Sequence, residues 1–281
     1  MKAFWLGVFF LFFSFDSLGA TTYVSHFQDG IRYTYRIKLL ELALNGSAQN
    51  SDTFILTPKL TDVTQARGLL LVEQGKIDVV FLATNNDRER RFLAVKIPIL
   101  RGILGYRVFL IHKESTFDFG QVNRLSELKE KFIAGFGSQW SDMAILKHNQ
   151  LIVEGLPQYE ILFKMLNVQR FDYFPRGINE AWAEVASKGN AYPDIIVEQN
   201  IGLYYEFPVY FFVNKTNDIL ARRIEEGLQR MLMDGTFKKL FLDYHQDIID
   251  QAKLKQRRLF FLENPVIPKG TPDIDTSWWL N

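Results

Sequence analysis

The sequence predicts an α/β fold made of two successive units, each a mostly parallel sheet flanked by helices. Short apolar runs of strand length alternate with helix-period segments, and this alternation occurs twice. The clearest run, residues 77–83, is typical of a strand buried on both faces. Strand, helix and strand joined by short links are typical of a parallel α/β sheet. A polar stretch at 115–125 separates the two units.

In the first unit, the elements follow from periodicity and end signals. A helix is predicted from 31 to 44 because apolar residues recur at helical spacing and Asn45-Gly46 is a good C-terminal cap. Thr61-Asp62 caps a second helix, which ends at Gly75. Strands are predicted at 53–56, 77–83 and 104–111.

The second unit repeats this pattern after residue 125. Helices are predicted where apolar residues recur every three or four positions, at 125–129, 142–148, 159–166, 179–187 and 218–233. Strands are predicted at 132–136, 171–174, 194–197 and 209–213. A shorter helix starts at Thr236. The proline-bearing segment from about 255 is expected to pack on the surface as a tail.

The composition excludes several classes of function. Lysine and arginine number 33 and aspartate and glutamate 32, so no field for nucleic acid or anionic lipid is predicted. The absence of cysteine excludes disulfides and thiolate chemistry. The four histidines have no zinc-site spacing, and neither a G-x-S-x-G elbow nor a P-loop occurs. No metal, no cofactor and no catalytic constellation are therefore expected.

The N-terminus is typical of a secretory signal peptide. Met1-Lys2 gives a positive charge, residues 3–15 are almost unbroken apolar, and residues 14–20 turn small and polar. The apolar run is shorter than the roughly 20 residues of a membrane span. Cleavage after Gly19 or after Ala20 fits, and an uncleaved N-terminal anchor is the alternative. A soluble mature protein in an exported compartment is expected, and a chain without disulfides suits a Gram-negative periplasm.

Three stretches carry a resemblance to a known family. Residues 75–84 with Arg88 and Pro98 look like a "G-x-x-D … T-x-x-R … F-S-x-P" pattern. Residues 125–139 look like "dL-x-g-k-x-v-g-v-x-x-G-t-t". Residues 214–240 look like "n-x-x-L … i-x-x-G-t-y-x-k-i". In this order, over roughly 30–245, the motifs resemble type II periplasmic solute-binding proteins of the amino-acid-binding branch, family 3.

The chain departs from that pattern in ways that affect the site. Thr84 and Arg88 are four positions apart, where the family spaces them by three. This leaves open whether Arg88, Arg90 or Arg91 takes the ligand-facing place. The phenylalanine-serine pair before Pro98 and the N-terminal aromatic-proline signature are missing. The resemblance therefore implies a divergent member, whose ligand need not be a standard amino acid.

The resemblance makes Arg88 the first candidate for binding a ligand carboxylate, with Thr84 adding a hydroxyl. Arginine offers a rigid bidentate fork for a carboxylate. Both residues follow a buried strand at its carboxyl end, where open α/β sheets bind ligands. The alternative interpretation is that residues 85–91 form a solvated, charge-rich turn.

Two further positions are candidates in the second unit. Free N–H groups at a helix start could hold an anion beside Ser138 and Gln139, and Trp140 could stack on a ligand. Arg176 follows another predicted strand, near a place where the family often has an acidic residue, and would favour a second anionic group. The alternatives are a core tryptophan beside an ordinary N-cap and a surface arginine in a Pro-Gly turn.

Together these features predict a two-lobed protein with a hinge of two crossings, near 108–118 and 200–212. Lobe 1 would comprise 21–112 and 206–250, lobe 2 113–205, and 251–281 the tail. The expected function is non-catalytic periplasmic binding of a small polar, carboxylate-bearing solute by a monomer, for an ABC-type importer or a sensor. The alternatives are an exported adaptor with a vestigial cleft and an enzyme on the same fold.

Overall fold

The computed structural model describes residues 20–30, 33–48, 52–59 and 63–280. The predicted signal peptide therefore lies outside the described residues, except for Ala20. Within these ranges, no helix is both long enough and apolar enough to cross a membrane.

Twelve strands and ten α-helices occur in the described ranges. The strands are β1 (Thr21–His26), β2 (Thr53–Pro58), β3 (Val79–Ala83), β4 (Phe92–Val95), β5 (Tyr106–His112), β6 (Ile133–Gly137), β7 (Ile152–Leu156), β8 (Tyr173–Gly177), β9 (Ile195–Val197), β10 (Ile201–Tyr204), β11 (Val209–Asn214) and β12 (Arg258–Phe261). The helices are α1 (Thr34–Gly46), α2 (Gln65–Glu73), α3 (Asn86–Arg91), α4 (Thr116–Gly120), α5 (Leu125–Lys131), α6 (Met143–His148), α7 (Tyr159–Asn167), α8 (Ala181–Lys188), α9 (Asp218–Met233) and α10 (Thr236–Ala252). The predicted α/β fold is confirmed.

The strands form three sheets in the described ranges. A seven-stranded sheet has the order β12-β10-β5-β8-β6-β7, with β9 also paired to β5. A three-stranded sheet has the order β3-β11-β4, and β1 pairs with β2. Four pairs of neighbouring strands run parallel, namely β6/β7, β6/β8, β10/β12 and β1/β2. Strands β5 and β11 run antiparallel to their neighbours, since each enters its sheet from the other one.

The long helix α9 illustrates how sequence pattern becomes packing. Asn217 caps it by accepting a hydrogen bond from the N–H of Leu220, and Gly235, with φ of 81°, starts the next helix in the left-handed region. Its buried face packs on α1 and approaches so closely that a Cβ on Gly227 would lie 1.8 Å from the carbonyl oxygen of Ala43. A glycine is therefore needed at this helix contact.

The chain passes between the two larger sheets at residues 96–105 and again at 205–208. The predicted second crossing, at 200–212, contains the observed one. The predicted first crossing, at 108–118, is misplaced, because residues 107–111 are paired with 173–177 inside the seven-stranded sheet. A lobe boundary before Tyr106 fits this pairing better than one after His112, and the lobes themselves remain a prediction.

The segment after α10, which was predicted to pack on the surface, also contributes a strand to the seven-stranded sheet. Strand β12 extends the seven-stranded sheet beside β10, since Phe260 and Leu262 are buried there. Arg257 is buried and donates to the carbonyls of Ala252, Glu198 and Ile201. The tail is therefore part of the sheet and its edge.

Candidate functional site

The first group of candidate residues lies at the carboxyl end of β3, where the chain turns into α3. The side chain of Asn85 caps α3 by accepting a hydrogen bond from the N–H of Arg88 (2.8 Å). The Arg88 side chain points inward, and Arg88 is only 8% exposed. Its Nη1 donates to the carbonyl of Ala83, at the end of β3. Strand, turn and helix together hold Arg88 in place.

Arg88 differs from the two other arginines of α3. The side chains of Arg90 and Arg91 are 75% and 31% exposed, and both pair with Asp87, while Arg91 also pairs with Glu73. Within the described part of the chain, Arg88 forms no ion pair. Burial lowers the pKa of its guanidinium from the ordinary value, against the raising effect of Asp87. A buried guanidinium that forms no ion pair among the described residues suits a bound anion.

Thr84 is buried next to the crossing at 205–208. Its N–H donates to the carbonyl of Pro208 (2.9 Å), and its hydroxyl donates to Glu89 (2.7 Å), which also pairs with Lys96 (2.7 Å). The Thr84 hydroxyl is thus already engaged. The nearby Tyr210 hydroxyl is buried without a partner among the described residues, and burial, followed by Glu89, raises its pKa. Tyr210 is a neutral donor that sequence reasoning missed. A tyrosine within an otherwise apolar strand is the signal that could have indicated a buried hydroxyl there.

The loop after β6 carries the next three predicted residues. Ser138 and Gln139 are exposed and Trp140 is half-buried. The N–H of Ser138 donates to Leu156 (2.9 Å) and that of Trp140 donates to Gly137 (3.0 Å). These two N–H groups are therefore not the free anion donors that the sequence predicts. The side chains of Ser138 and Gln139 remain candidates.

Trp140 packs against neighbouring aromatic rings and also supports a charge. Its ring centroid is 4.9 Å from that of Phe136 and 5.9 Å from that of Phe174, which it stacks on. The Arg176 guanidinium lies over its ring at 4.7 Å. Trp140 therefore packs against aromatic side chains, as the alternative interpretation of a core tryptophan expects. Its contact with a ligand stays a prediction.

Arg176 is buried and already paired, unlike a surface arginine in a turn. Its Nε and Nη2 donate to the carboxylate of Glu184 at 2.7 and 2.6 Å, and Nη2 lies 3.0 Å from Glu180. Burial opposes the charge, but these carboxylates raise the pKa of Arg176 above its ordinary value. Two carboxylates thus stand where the sequence predicts a second ligand anion.

A second ion pair, which sequence reasoning missed, lies beside this group. Nη2 of Arg107 on β5 and the hydroxyl of Tyr205 both donate to Asp142, each at 2.8 Å. Arg107 Nη1 is 3.8 Å from Glu180, which connects the two pairs. The signal in the sequence was a single arginine, Arg107, within the apolar run of β5. Tyr205 opens the crossing at 205–208 that ends beside Thr84, so one crossing joins both groups of residues.

Two cavities in the described structure lie away from these groups. One, of about 540 Å³, is lined by the end of α10 and by residues 277–280. The other, of about 510 Å³, is lined by residues 73–78 and 214–217 in part. Neither of these two cavities is lined by the predicted ligand residues.

Comparison with known proteins extends the description of the fold. No family model matches the chain, and no curated protein matches it. Solved structures do. The probable amino-acid ABC transporter extracellular-binding protein YtmK from Bacillus subtilis matches with a TM-score of 0.59 and 18% identity, over 81% of this chain and 98% of its own.

The chain has the fold of the type II periplasmic amino-acid-binding proteins. The ancestral amino acid-binding protein AncCDT-1, a precursor of cyclohexadienyl dehydratase, matches with a TM-score of 0.55 and 14% identity, over 80% of this chain and 95% of its own. A histidine kinase sensor domain with similarity to periplasmic binding proteins matches with a TM-score of 0.53 and 12% identity, over 80% of this chain and 96% of its own. The resemblance seen in the motifs is confirmed as a likeness of fold.

Proposed function

We propose that this protein captures a small polar solute with a carboxylate group, of the amino-acid type, without converting it. The proposal places it in the periplasm as a monomer, delivered by its signal peptide. It would pass the solute to an ABC-type importer or report it to a sensor. The two lobes would close on the ligand at the crossings.

The observation that carries this proposal is Arg88. It is a buried guanidinium at the carboxyl end of a strand, in no ion pair within the described ranges. Burying an unpaired charge is unfavourable, and a ligand carboxylate would relieve it. Tyr210 adds a neutral donor on the same sheet. The extracellular amino-acid binding protein among the structures of like fold supports the same class of ligand.

The paired charges of the other group favour a second candidate, an adaptor with a vestigial cleft. Arg176 pairs with Glu184 and Arg107 pairs with Asp142, so neither arginine needs a ligand anion to balance its charge. An adaptor of this kind would act through contacts of its surface with a partner protein rather than through a bound solute. An enzyme would need one of these carboxylates to be free to move a proton, and each is held by an arginine.

Thermal melting of the mature protein, residues 21–281, against amino acids, dicarboxylates, small peptides and sugar acids tests the proposal. A ligand at 100 times its dissociation constant adds about 2.7 kcal/mol. A hit that is lost in Arg88→Met but kept in the matched control Arg90→Met supports solute binding. Turnover of that hit supports the enzyme, and no shift across the panel favours the adaptor.

A further inference from the structure

The segment that follows β12 crosses from one sheet to the other. Glu263 exchanges two hydrogen bonds with Asn149, its N–H donating to Oδ1 (3.0 Å) and its carbonyl accepting from Nδ2 (2.7 Å). Asn149 ends α6, the helix that follows the Ser138–Trp140 loop. Three residues later, the carbonyl of Val266 accepts the N–H of Asn86, the first residue of α3 (3.3 Å).

Residues 263–266, called the strap here, therefore tie α3, which carries Arg88, to α6, which follows the Ser138–Trp140 loop. Within the strap, Asn264 donates to the carbonyl of Glu206 (2.8 Å) and accepts the N–H of Val266 (3.0 Å). Glu206 lies in the crossing at 205–208. The strap is thus fixed at both ends and in the middle, on the crossing itself.

The remainder of the tail fastens the other crossing, at 96–105. Asp275 pairs with Arg101 (2.7 Å), whose guanidinium lies 4.1 Å from the Trp278 ring centroid. The Trp279 Nε1 donates to the Arg101 carbonyl (3.0 Å), and its ring lies 5.2 Å from that of Tyr106, at the start of β5. Both crossings between the sheets are therefore held by the same segment.

Chain length sets how far the strap can extend. An extended chain spans about 3.3–3.6 Å per residue, so the three steps from 263 to 266 cover at most roughly 11 Å. While the bonds at Asn149 and Asn86 hold, the two helices cannot move further apart than this reach allows. A hinge rotation that carries these two helix ends beyond this reach must first break one of them.

We propose that the strap is an intrachain restraint that limits opening of the candidate cleft. Its role in solute capture rests on the proposed function, whereas its action on the distance between the sheets does not. Opening beyond that reach then requires release of the Asn149 pair or of the Val266 bond.

Spin labels test this without any ligand. The chain has no cysteine, so Arg67→Cys on α2, which packs on β3, and Lys164→Cys on α7, which packs on β6, give one defined pair of exposed sites. Asn149→Ala removes both bonds to Glu263, and Asn264→Ala removes the middle one. The matched control is Asn190→Ala, at an exposed asparagine after α8.

A longer and broader distance distribution in Asn149→Ala and Asn264→Ala than in Asn190→Ala supports the restraint. Distributions that match the parent in both variants overturn it. If the variants fold poorly, hydrogen exchange of the parent protein decides, because the restraint requires a protected Asn86 amide. Exchange of that amide at the rate of an exposed one overturns the proposal. A solute panel without a hit leaves these results unaffected, so the two proposals fail separately.

Discussion

Replacing Arg88 with methionine separates a ligand-binding arginine from a structural one. Methionine keeps an unbranched side chain of similar length but removes the charge and all five N–H donors. Arg90→Met is the matched control, since Arg90 lies on the same helix with its side chain 75% exposed. Arg88→Lys keeps the charge and removes the planar fork.

The expected loss of affinity follows from the free edge of the guanidinium. Nη1 is engaged by the carbonyl of Ala83, which leaves the edge formed by Nε and Nη2 for a carboxylate. Two charge-assisted hydrogen bonds are worth about 1.5–3 kcal/mol each. Arg88→Met should therefore weaken binding by roughly 10²–10⁴-fold. Arg88→Lys should lose less, because an ammonium still attracts the carboxylate.

The stability of the unliganded protein should change little in Arg88→Met. Arg88→Met loses one hydrogen bond to a carbonyl but also removes a buried charge that has no ion pair in the described ranges. These effects offset, so the free energy of unfolding should change by about 1 kcal/mol or less. For a chain of this size, that is a shift in Tm of roughly 2–4 °C.

Isothermal titration with a solute found in the panel, together with melts without solute, measures both quantities. Weak binding with a preserved Tm in Arg88→Met, and parent-like values in Arg90→Met, are the expected pattern. A loss of more than about 3 kcal/mol of stability without ligand would show a structural arginine instead. Unchanged affinity in Arg88→Met would refute the assignment of this residue to the ligand.

Three further results are expected from buried groups. Asp142→Asn leaves Arg107 without its carboxylate and should cost about 3–5 kcal/mol in a denaturant titration, with unchanged stability as the contrary result. Gly227→Ala should lower Tm strongly, because its Cβ would lie 1.8 Å from the carbonyl oxygen of Ala43; a parent-like Tm would contradict this. Burial lowers the pKa of His245 from 6.5 to about 4, against its hydrogen bond to a backbone carbonyl. Because the unfolded state then binds more protons between these values, the His245 contribution is full above pH 6.5 and is lost as pH falls towards 4. His245→Gln should remove about 3 kcal/mol of that pH dependence in melts at pH 4 and 7.

Local patterns were enough to predict many of the elements and to place Thr84 and Arg88 at the carboxyl end of a strand. The apolar run before Thr84 predicts a buried strand, and the carboxyl end of such a strand is where side chains can meet a ligand. The structure adds what the pattern could not supply, namely the cap by Asn85 that turns Arg88 inward. The spacing of the arginines alone could not decide among Arg88, Arg90 and Arg91.

The second half of the site depends on contacts between residues that lie far apart in the sequence. Asp142 is 35 residues from Arg107 and 63 from Tyr205, so only the folded chain brings them together. Glu180, the N-cap of α8, and Glu184 are four apart, a spacing that in the sequence fits a solvated helix face. The same spacing also places both within reach of Arg176 at the preceding strand end, which a sequence cannot distinguish from solvation.

The way in which the strap acts determines whether its effect would be seen in Kd or in the rate constants of binding. A restraint that holds equally in the empty and the occupied protein slows entry and exit by the same factor, so it changes rates and leaves Kd unaltered. It changes Kd only if its bonds differ between the two arrangements, because a coupling free energy requires differential contacts. The Val266 bond is made to the first N–H of α3, two residues from Arg88, so a carboxylate that shifts this helix would strain or relax it directly. The equilibrium and the rate constants must therefore both be measured, since affinity alone would miss a restraint that acts on opening.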